Sequence, residues 1–220
     1  MKHNYQITPS IYCANTADLK TEIKKLMAAG ITWIHFDVMD GHFVQNYALG
    51  PKELIDIKTM FPTLTIDVHV MANDLLNKVK LFTTGDYLTF HLQSVKSSAE
   101  MVTLIKEIKS YNLKVGIALD LADEINDIKP FLKDIDLITF MSIKPGFTGQ
   151  SFDDSVWAKL AHIKTFHVQY PHLSFQIDGG VRWENLARLI RTGIDLIVVG
   201  SLLFSSDDYQ AVMQKIALLN

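Results

Sequence analysis

Cysteine is nearly absent: of the 220 residues only Cys13 is one, which excludes an intramolecular disulfide framework and fits a reducing compartment. No apolar run approaches the roughly 20 residues that a bilayer-spanning helix requires. Residues 1–6 are not followed by the long apolar stretch of a signal peptide. Dense Lys/Arg blocks are missing as well. With 21 basic and 24 acidic residues the net charge is −3, so nucleic acid is a poor partner and any anionic ligand must be held by local groups rather than by a global field. Linkers and low-complexity segments are not evident either. These absences lead to the expectation of a soluble, cytoplasmic globular protein that binds neither nucleic acid nor membrane.

What is present is a regular alternation. Apolar runs at 7–13, 32–39, 64–71, 87–91, 114–119, 136–142, 173–178 and 194–200 read as strands. Helical patterns fall between and after them at 17–29, 51–60, 75–83, 97–111, 124–132, 155–167, 183–192 and 207–218. Strands apolar on both faces, such as Ile194-Asp195-Leu196-Ile197-Val198-Val199, imply a parallel sheet covered by helices. Glycines in Ala28-Ala29-Gly30, Thr84-Gly85-Asp86 and Thr192-Gly193-Ile194 suit helix ends that lead into short turns. Eight βα units in so short a chain predict one (β/α)8 barrel spanning residues 1–220, with an open doubly wound sheet as the competitor.

Ionisable groups interrupt three of the strands: His35 and Asp37 in Trp33-Ile-His-Phe-Asp-Val-Met39, His69 in Ile66-Asp-Val-His-Val-Met71, and Asp178 in Phe175-Gln-Ile-Asp178. Burying such groups costs several kcal/mol unless they are paired or bound to a metal. Residues two apart share a strand face, so His35 and Asp37 point the same way. Two imidazoles and two carboxylates make a mixed ligand set for a divalent transition metal. All four lie at or near the C-terminal ends of their strands, where a barrel carries its chemistry.

Glycines mark the ends of the sixth, seventh and eighth strands in Pro145-Gly146-Phe147-Thr148-Gly149-Gln150, Asp178-Gly179-Gly180-Val181 and Val199-Gly200-Ser201. Glycine lets backbone N–H groups approach an anion closely, and barrels often bind phosphate after strands seven and eight. Met39, Met71 and Met141 stand near strand ends, where they read either as core filling or as an apolar cover over reacting atoms.

The segments His35-Phe-Asp-Val-Met-Asp-Gly-His-Phe43, Asp67-Val-His-Val-Met71, Pro145-Gly-Phe-Thr-Gly-Gln-Ser-Phe152 and Asp178-Gly-Gly-Val181, with Pro9-Ser10 and Gly200-Ser201, resemble the signatures of ribulose-phosphate 3-epimerases across most of the chain. The resemblance implies that His35, Asp37, His69 and Asp178 hold one divalent ion (zinc, iron, manganese or cobalt), with no organic cofactor. It implies that Asp37 and Asp178 are the acid/base pair. Ser10, His69, Met39, Met71, Met141, Gly146, Phe147, Thr148, Gly149, Gly179, Gly180, Gly200 and Ser201 would meet the phosphorylated ketose, and the chain would form a homo-oligomer, a dimer or hexamer. The implied reaction interconverts D-ribulose 5-phosphate and D-xylulose 5-phosphate, with D-allulose 6-phosphate as the six-carbon alternative. A decarboxylase on the same barrel is disfavoured because 35–41 contains no lysine. A non-catalytic sugar-phosphate binder has no reason to keep both aspartates.

Four segments depart from the family pattern: Tyr12-Cys13-Ala14-Asn15, Phe43-Val44-Gln45-Asn46, Lys144 and Thr148. All fall near the expected mouth, and Lys144 reads as a phosphate-side cation or as a solvated side chain. Asp67 reads equally as an orienting partner for a ligand or as a buried structural group. Asp40-Gly41 reads first as a turn. His91 is expected to be a hydrogen-bonded core histidine, with a place on the site wall as the alternative, and His3, His162, His167 and His172 are expected at the surface.

Overall fold

Within each strand, alternation gives one set of side chains to the surrounding helices and the other to an interior. The computed structural model describes residues 5–219, so His3 lies outside the described residues. Its strands are β1 Gln6–Pro9, β2 Trp33–Met39, β3 Thr65–Met71, β4 Tyr87–His91, β5 Lys114–Leu119, β6 Leu137–Met141, β7 Ser174–Asp178 and β8 Leu196–Val199. They form one eight-stranded sheet in the order β1-β8-β7-β6-β5-β4-β3-β2, with every adjoining pair parallel. A parallel bridge between Ser10 and His35 joins the two ends. The result is a nearly closed (β/α)8 barrel.

The helices are α1 Leu19–Ala28, α2 Pro51–Met60, α3 Leu75–Lys78, α4 Ser98–Ser110, α5 Val156–Leu160, α6 Ile163–Gln169, α7 Trp183–Thr192, α8 Ser201–Phe204 and α9 Tyr209–Ala217. Asp18, Ser97 and Asp208 cap α1, α4 and α9 by accepting from the amides of Thr21, Glu100 and Ala211. Phe36, Val68, Phe90, Ile117, Phe140, Phe175 and Ile197 turn outward into the main hydrophobic core beneath these helices. Inward-facing Trp33, Tyr87, Leu137 and Leu196 pack together and close the bottom of the barrel. Above them the interior turns polar, with Asp67, Thr89, Thr139 and Gln176 all fully buried.

Four segments differ from the sequence reading in type or extent. The first strand stops at Pro9, and residues Ile11–Cys13 form a 3₁₀ turn that bends the chain over the barrel mouth. The helix expected at 75–83 is a short α3 followed by a 3₁₀ turn at Val79–Leu81. The segment expected as a helix at 124–132 is 3₁₀ over Ile125–Phe131, where Pro130 has no N–H to give to an α-helical ladder. The helix expected at 155–167 divides at Ala161-His162 into α5 and α6. Among the described residues no helix is long and apolar enough to cross a membrane.

Candidate active site

Register places the ionisable groups. Asp37 of β2 lies beside His69 of β3, His35 beside Asp67, and Asp178 beside Met141 of β6. With β1 bridging to His35, the barrel brings β2, β3 and β7 to one point at the C-terminal ends of the strands. His35 Nε2 lies 3.1 Å from His69 Nδ1, 3.4 Å from Asp37 Oδ1 and 3.6 Å from Asp178 Oδ2. His69 Nδ1 is 3.4 Å from Asp37 Oδ1 and 3.5 Å from Asp178 Oδ2. One ligand atom from each of the four residues falls within 4.8 Å of all the others.

The other faces of these groups are also engaged. Asp67 Oδ2 lies 3.0 Å from His35 Nδ1, and Thr89 Oγ1 donates to Asp67 Oδ1 at 2.6 Å. A carboxylate can only accept, so in a neutral His35 the proton sits on Nδ1 and Nε2 would turn its lone pair to the cluster. Ser10 Oγ donates to Asp37 Oδ2 at 2.5 Å, which leaves Oδ1 for the imidazoles. Burial alone would raise the Asp37 carboxyl, yet His35 and His69 beside it hold it well below the ordinary carboxylate range. Burial alone would lower the His35 imidazole, but Asp37 and Asp178 hold it above its ordinary range. Two ring nitrogens facing two carboxylate oxygens, with the far sides of His35 and Asp37 already satisfied, are a donor set that fits a divalent cation.

A cavity of about 490 Å³ opens above the cluster. Asp37 and Asp178 form part of its wall, with Met39, Met71, Met141 and Ser10 beside them. Gly146, Phe147, Thr148 and Gly149 of the loop after β6, Gly179 and Gly180 after β7, and Gly200 and Ser201 after β8 complete the lining. His35 and His69 are fully buried and stand behind the aspartates rather than on the cavity surface. Glycine is required at 179 and 180. Gly179 has φ +107°, with a Cβ meeting Ile143 at 2.3 Å, and Gly180 has φ +60°, with a Cβ meeting the Phe152 backbone at 2.6 Å.

Ile143, Arg182 and Phe204 line the cavity without having carried a signal in the sequence, while Tyr12 and Cys13 line it from a segment expected near the mouth. Asn46 bonds both Tyr12 Oη at 3.1 Å and the carbonyl of Gly146 at 2.7 Å, tying three mouth loops together. Burial, reinforced by Asp37, pushes the Cys13 thiol up to about 11, so it stays protonated at neutral pH. Lys144 is exposed and off the cavity wall, so of its two readings the solvated side chain holds. His91 is a buried, hydrogen-bonded core histidine, as expected. His162 and His172 are exposed and His167 half-buried; His167 and His172 each bond a loop carbonyl, of Gly193 and Leu132.

Comparison with known proteins agrees with this geometry. Residues 6–204 match the model of the "Ribulose-phosphate 3 epimerase family". The chain is 35% identical over 213 residues to the ribulose-phosphate 3-epimerase of Buchnera aphidicola subsp. Schizaphis graminum, covering 96% of this chain and 92% of that one. It is 32% identical over 214 residues to the Escherichia coli K12 enzyme of the same name, covering 96% and 94%. Among solved structures, KGPDC from Streptococcus mutans superposes with a TM-score of 0.74 at 12% identity over 98% of this chain and 96% of that one. That likeness shows the shared barrel alone. With the barrel, the cluster and the matched segments all in one chain, the protein is an isomerase belonging to the ribulose-phosphate 3-epimerase family.

Proposed function

We propose that the protein inverts C3 of a 2-ketose phosphate, interconverting D-ribulose 5-phosphate and D-xylulose 5-phosphate with Asp37 and Asp178 as the two acid/base groups. The observation that carries this reading is the pair of carboxylates at the cavity wall, backed by two buried imidazoles. Inverting a carbon beside a ketone requires taking its proton from one face and returning one to the other, and a single base serves both faces poorly. One aspartate, as carboxylate, takes the C3 proton; the C–H electron pair forms the C2–C3 double bond and the carbonyl pair moves onto the C2 oxygen. The other aspartate, protonated, then delivers a proton to C3 from the opposite side, and the two exchange roles in the reverse direction.

His35, Asp37, His69 and Asp178 would hold one divalent cation of the zinc, iron, manganese or cobalt kind. When bound, such an ion acts as a Lewis acid that compensates the negative charge developing on the enediolate oxygens. The chain's own residues do the rest. Ser10 orients Asp37 through its 2.5 Å hydrogen bond. Met39, Met71 and Met141 present apolar surface beside the reacting carbon and keep water from the exposed carbanion. The glycine-bearing ends of β6, β7 and β8 offer backbone N–H groups to the phosphate.

Incubation with D-ribulose 5-phosphate and added divalent metal in D2O is expected to place deuterium at C3 of recovered sugar. Asp37→Asn and Asp178→Asn are each expected to lower turnover by at least about a hundredfold. A folded, metal-replete sample that leaves C3 unlabelled defeats the reading. Faster turnover of D-allulose 6-phosphate would move the substrate to six carbons without changing the chemistry.

A further inference from the structure

Behind the cluster lies a second set of groups that the reaction does not touch. His69 has two ring nitrogens with different surroundings: Nδ1 faces His35, Asp37 and Asp178, while Nε2 points the other way, 2.8 Å from His91 Nε2. His91, at the end of β4, is fully buried, and its Nδ1 lies 2.8 Å from Asp120 Oδ1. Its ring stacks on His69 at 4.8 Å and packs against Phe43 at 5.0 Å. Both of its nitrogens are engaged, so it is not itself a ligand.

The proton positions follow from what each group can do. The Asp120 carboxylate accepts, so the proton of His91 is on Nδ1. A neutral His91 then has a lone pair on Nε2, and it accepts from His69 Nε2–H. His91 is fully buried, surroundings that favour the uncharged ring. A neutral His69 is thereby left with its own lone pair on Nδ1, the nitrogen that faces Asp37 and Asp178. Asp67 does the same for His35 from the other side of the cluster.

Asp120 is fixed in turn. Its amide donates to Asp123 Oδ2 at 2.8 Å, and Lys159 Nζ of α5 reaches the carbonyls of Asp120 and Leu121, each at 2.9 Å. The loop after β5 is thus anchored to α5, which fixes the backbone from which the Asp120 carboxylate reaches His91.

We propose that Asp120 and His91 form a relay that sets the tautomer of His69, so that Nδ1 presents its lone pair to the cation. His91 and Asp120 are positioning residues. The proposal deepens the metal reading given above and rests on it for its purpose, while the proton positions stand on hydrogen-bond geometry and the burial of His91.

Two measurements test it besides turnover. The first is zinc affinity by competition with a chromophoric chelator for the wild type, His91→Leu and His91→Gln. Leucine removes the acceptor, while a glutamine amide oxygen can replace it. Affinity is expected to fall about 10- to 100-fold in His91→Leu and to be largely restored in His91→Gln. The second is the ring-nitrogen spectrum of 15N-histidine-labelled, metal-free wild type, recorded at a pH high enough for the spectrum to show His69 neutral. There His69 is expected to carry its proton on Nε2. A folded His91→Leu that binds zinc within about threefold of wild type overturns the relay, and so does a proton found on Nδ1. If leucine prevents folding, glutamine affinity near wild type together with the Nε2 proton supports the relay. Should wild type bind no divalent metal at all, the metal reading falls, while the nitrogen spectrum still decides the tautomer.

Discussion

Asp40 illustrates what a single side chain does at the mouth of this barrel. Its Oδ1 accepts from the amides of His42 and Phe43 at 2.9 and 2.8 Å, and Oδ2 from the amide of Asn73 at 3.1 Å and from Lys78 Nζ at 2.9 Å. One carboxylate therefore organises the loop after β2 and ties it to the loop after β3. The sequence reading of Asp40-Gly41 as a turn is correct, but the tie to Asn73 and Lys78 depends on β2 and β3 lying side by side. Partial burial alone would raise this carboxyl, but the Phe43 amide, Lys78, the His42 amide and the Asn73 amide together hold it well below the ordinary range. A depressed carboxylate stabilises the fold above its unfolded value near 4, and that contribution fades as pH falls below it. Asp40→Asn is accordingly expected to cost about 1–2 kcal/mol at pH 7. The gap between variant and wild type should shrink as pH drops below about 4, because the carboxyl then takes up a proton in the unfolded chain while the folded one stays ionised. Urea unfolding of both proteins across pH 3–7 checks this, and a gap that stays constant would refute the assignment.

Strand elements were the most legible part of the sequence, because buried parallel strands leave continuous apolar runs that few other structures produce. Short helices were the least legible. Apolar spacing cannot distinguish one turn of α-helix from a 3₁₀ turn at Ile125–Phe131, and it does not see the break between α5 and α6. Also unseen was a device repeated around the bottom of the barrel. Asp86, Asp136 and Asp195, in the turns just before β4, β6 and β8, each accept from an amide at the start of the preceding strand: Ile66 at 2.8 Å, Val115 at 2.8 Å and Phe175 at 2.7 Å. The amides of the same aspartates donate back to the carbonyls of those three residues. Each aspartate thus fixes where one strand begins against the next, in the β3–β4, β5–β6 and β7–β8 pairs. Asp136→Ala leaves the Val115 amide without its acceptor and is expected to destabilise by about 1–3 kcal/mol in chemical denaturation. Exposed Asp134, two residues earlier, should change stability by less than about 0.5 kcal/mol when replaced by alanine. Equal effects at the two positions would show that the clamp contributes nothing.

At the scale of the whole molecule the site and the weakest closure of the barrel coincide. Sequence placed His35, Asp37, His69 and Asp178 at strand ends because ionisable groups stand out among Val, Ile and Phe. It did not reveal Arg182, the bonds of Asn46 to Tyr12 and Gly146, or the Asp120–His91 pair, whose places depend on loops and on the closed ring. That ring is joined between β1 and β2 by the Ser10–His35 bridge, with the Ser10–Asp37 hydrogen bond beside it. The four candidate ligands come from β2, β3 and β7, so a cation held by all of them would connect the two sides of this seam from within. A ligand that binds the folded state alone stabilises it by about 2.7 kcal/mol at a hundred times its dissociation constant. For a domain of this size that corresponds to a rise in Tm of roughly 5–10 °C. Calorimetry of metal-stripped protein with added zinc, manganese or cobalt is therefore expected to show a rise of this order, reversed by chelator. Asp178→Asn removes the β7 ligand and should lose most of the rise while leaving the Tm of the metal-free protein within a few degrees of wild type. A rise of the same size in wild type and Asp178→Asn would place the stabilising ion elsewhere and break the link between the seam and the site.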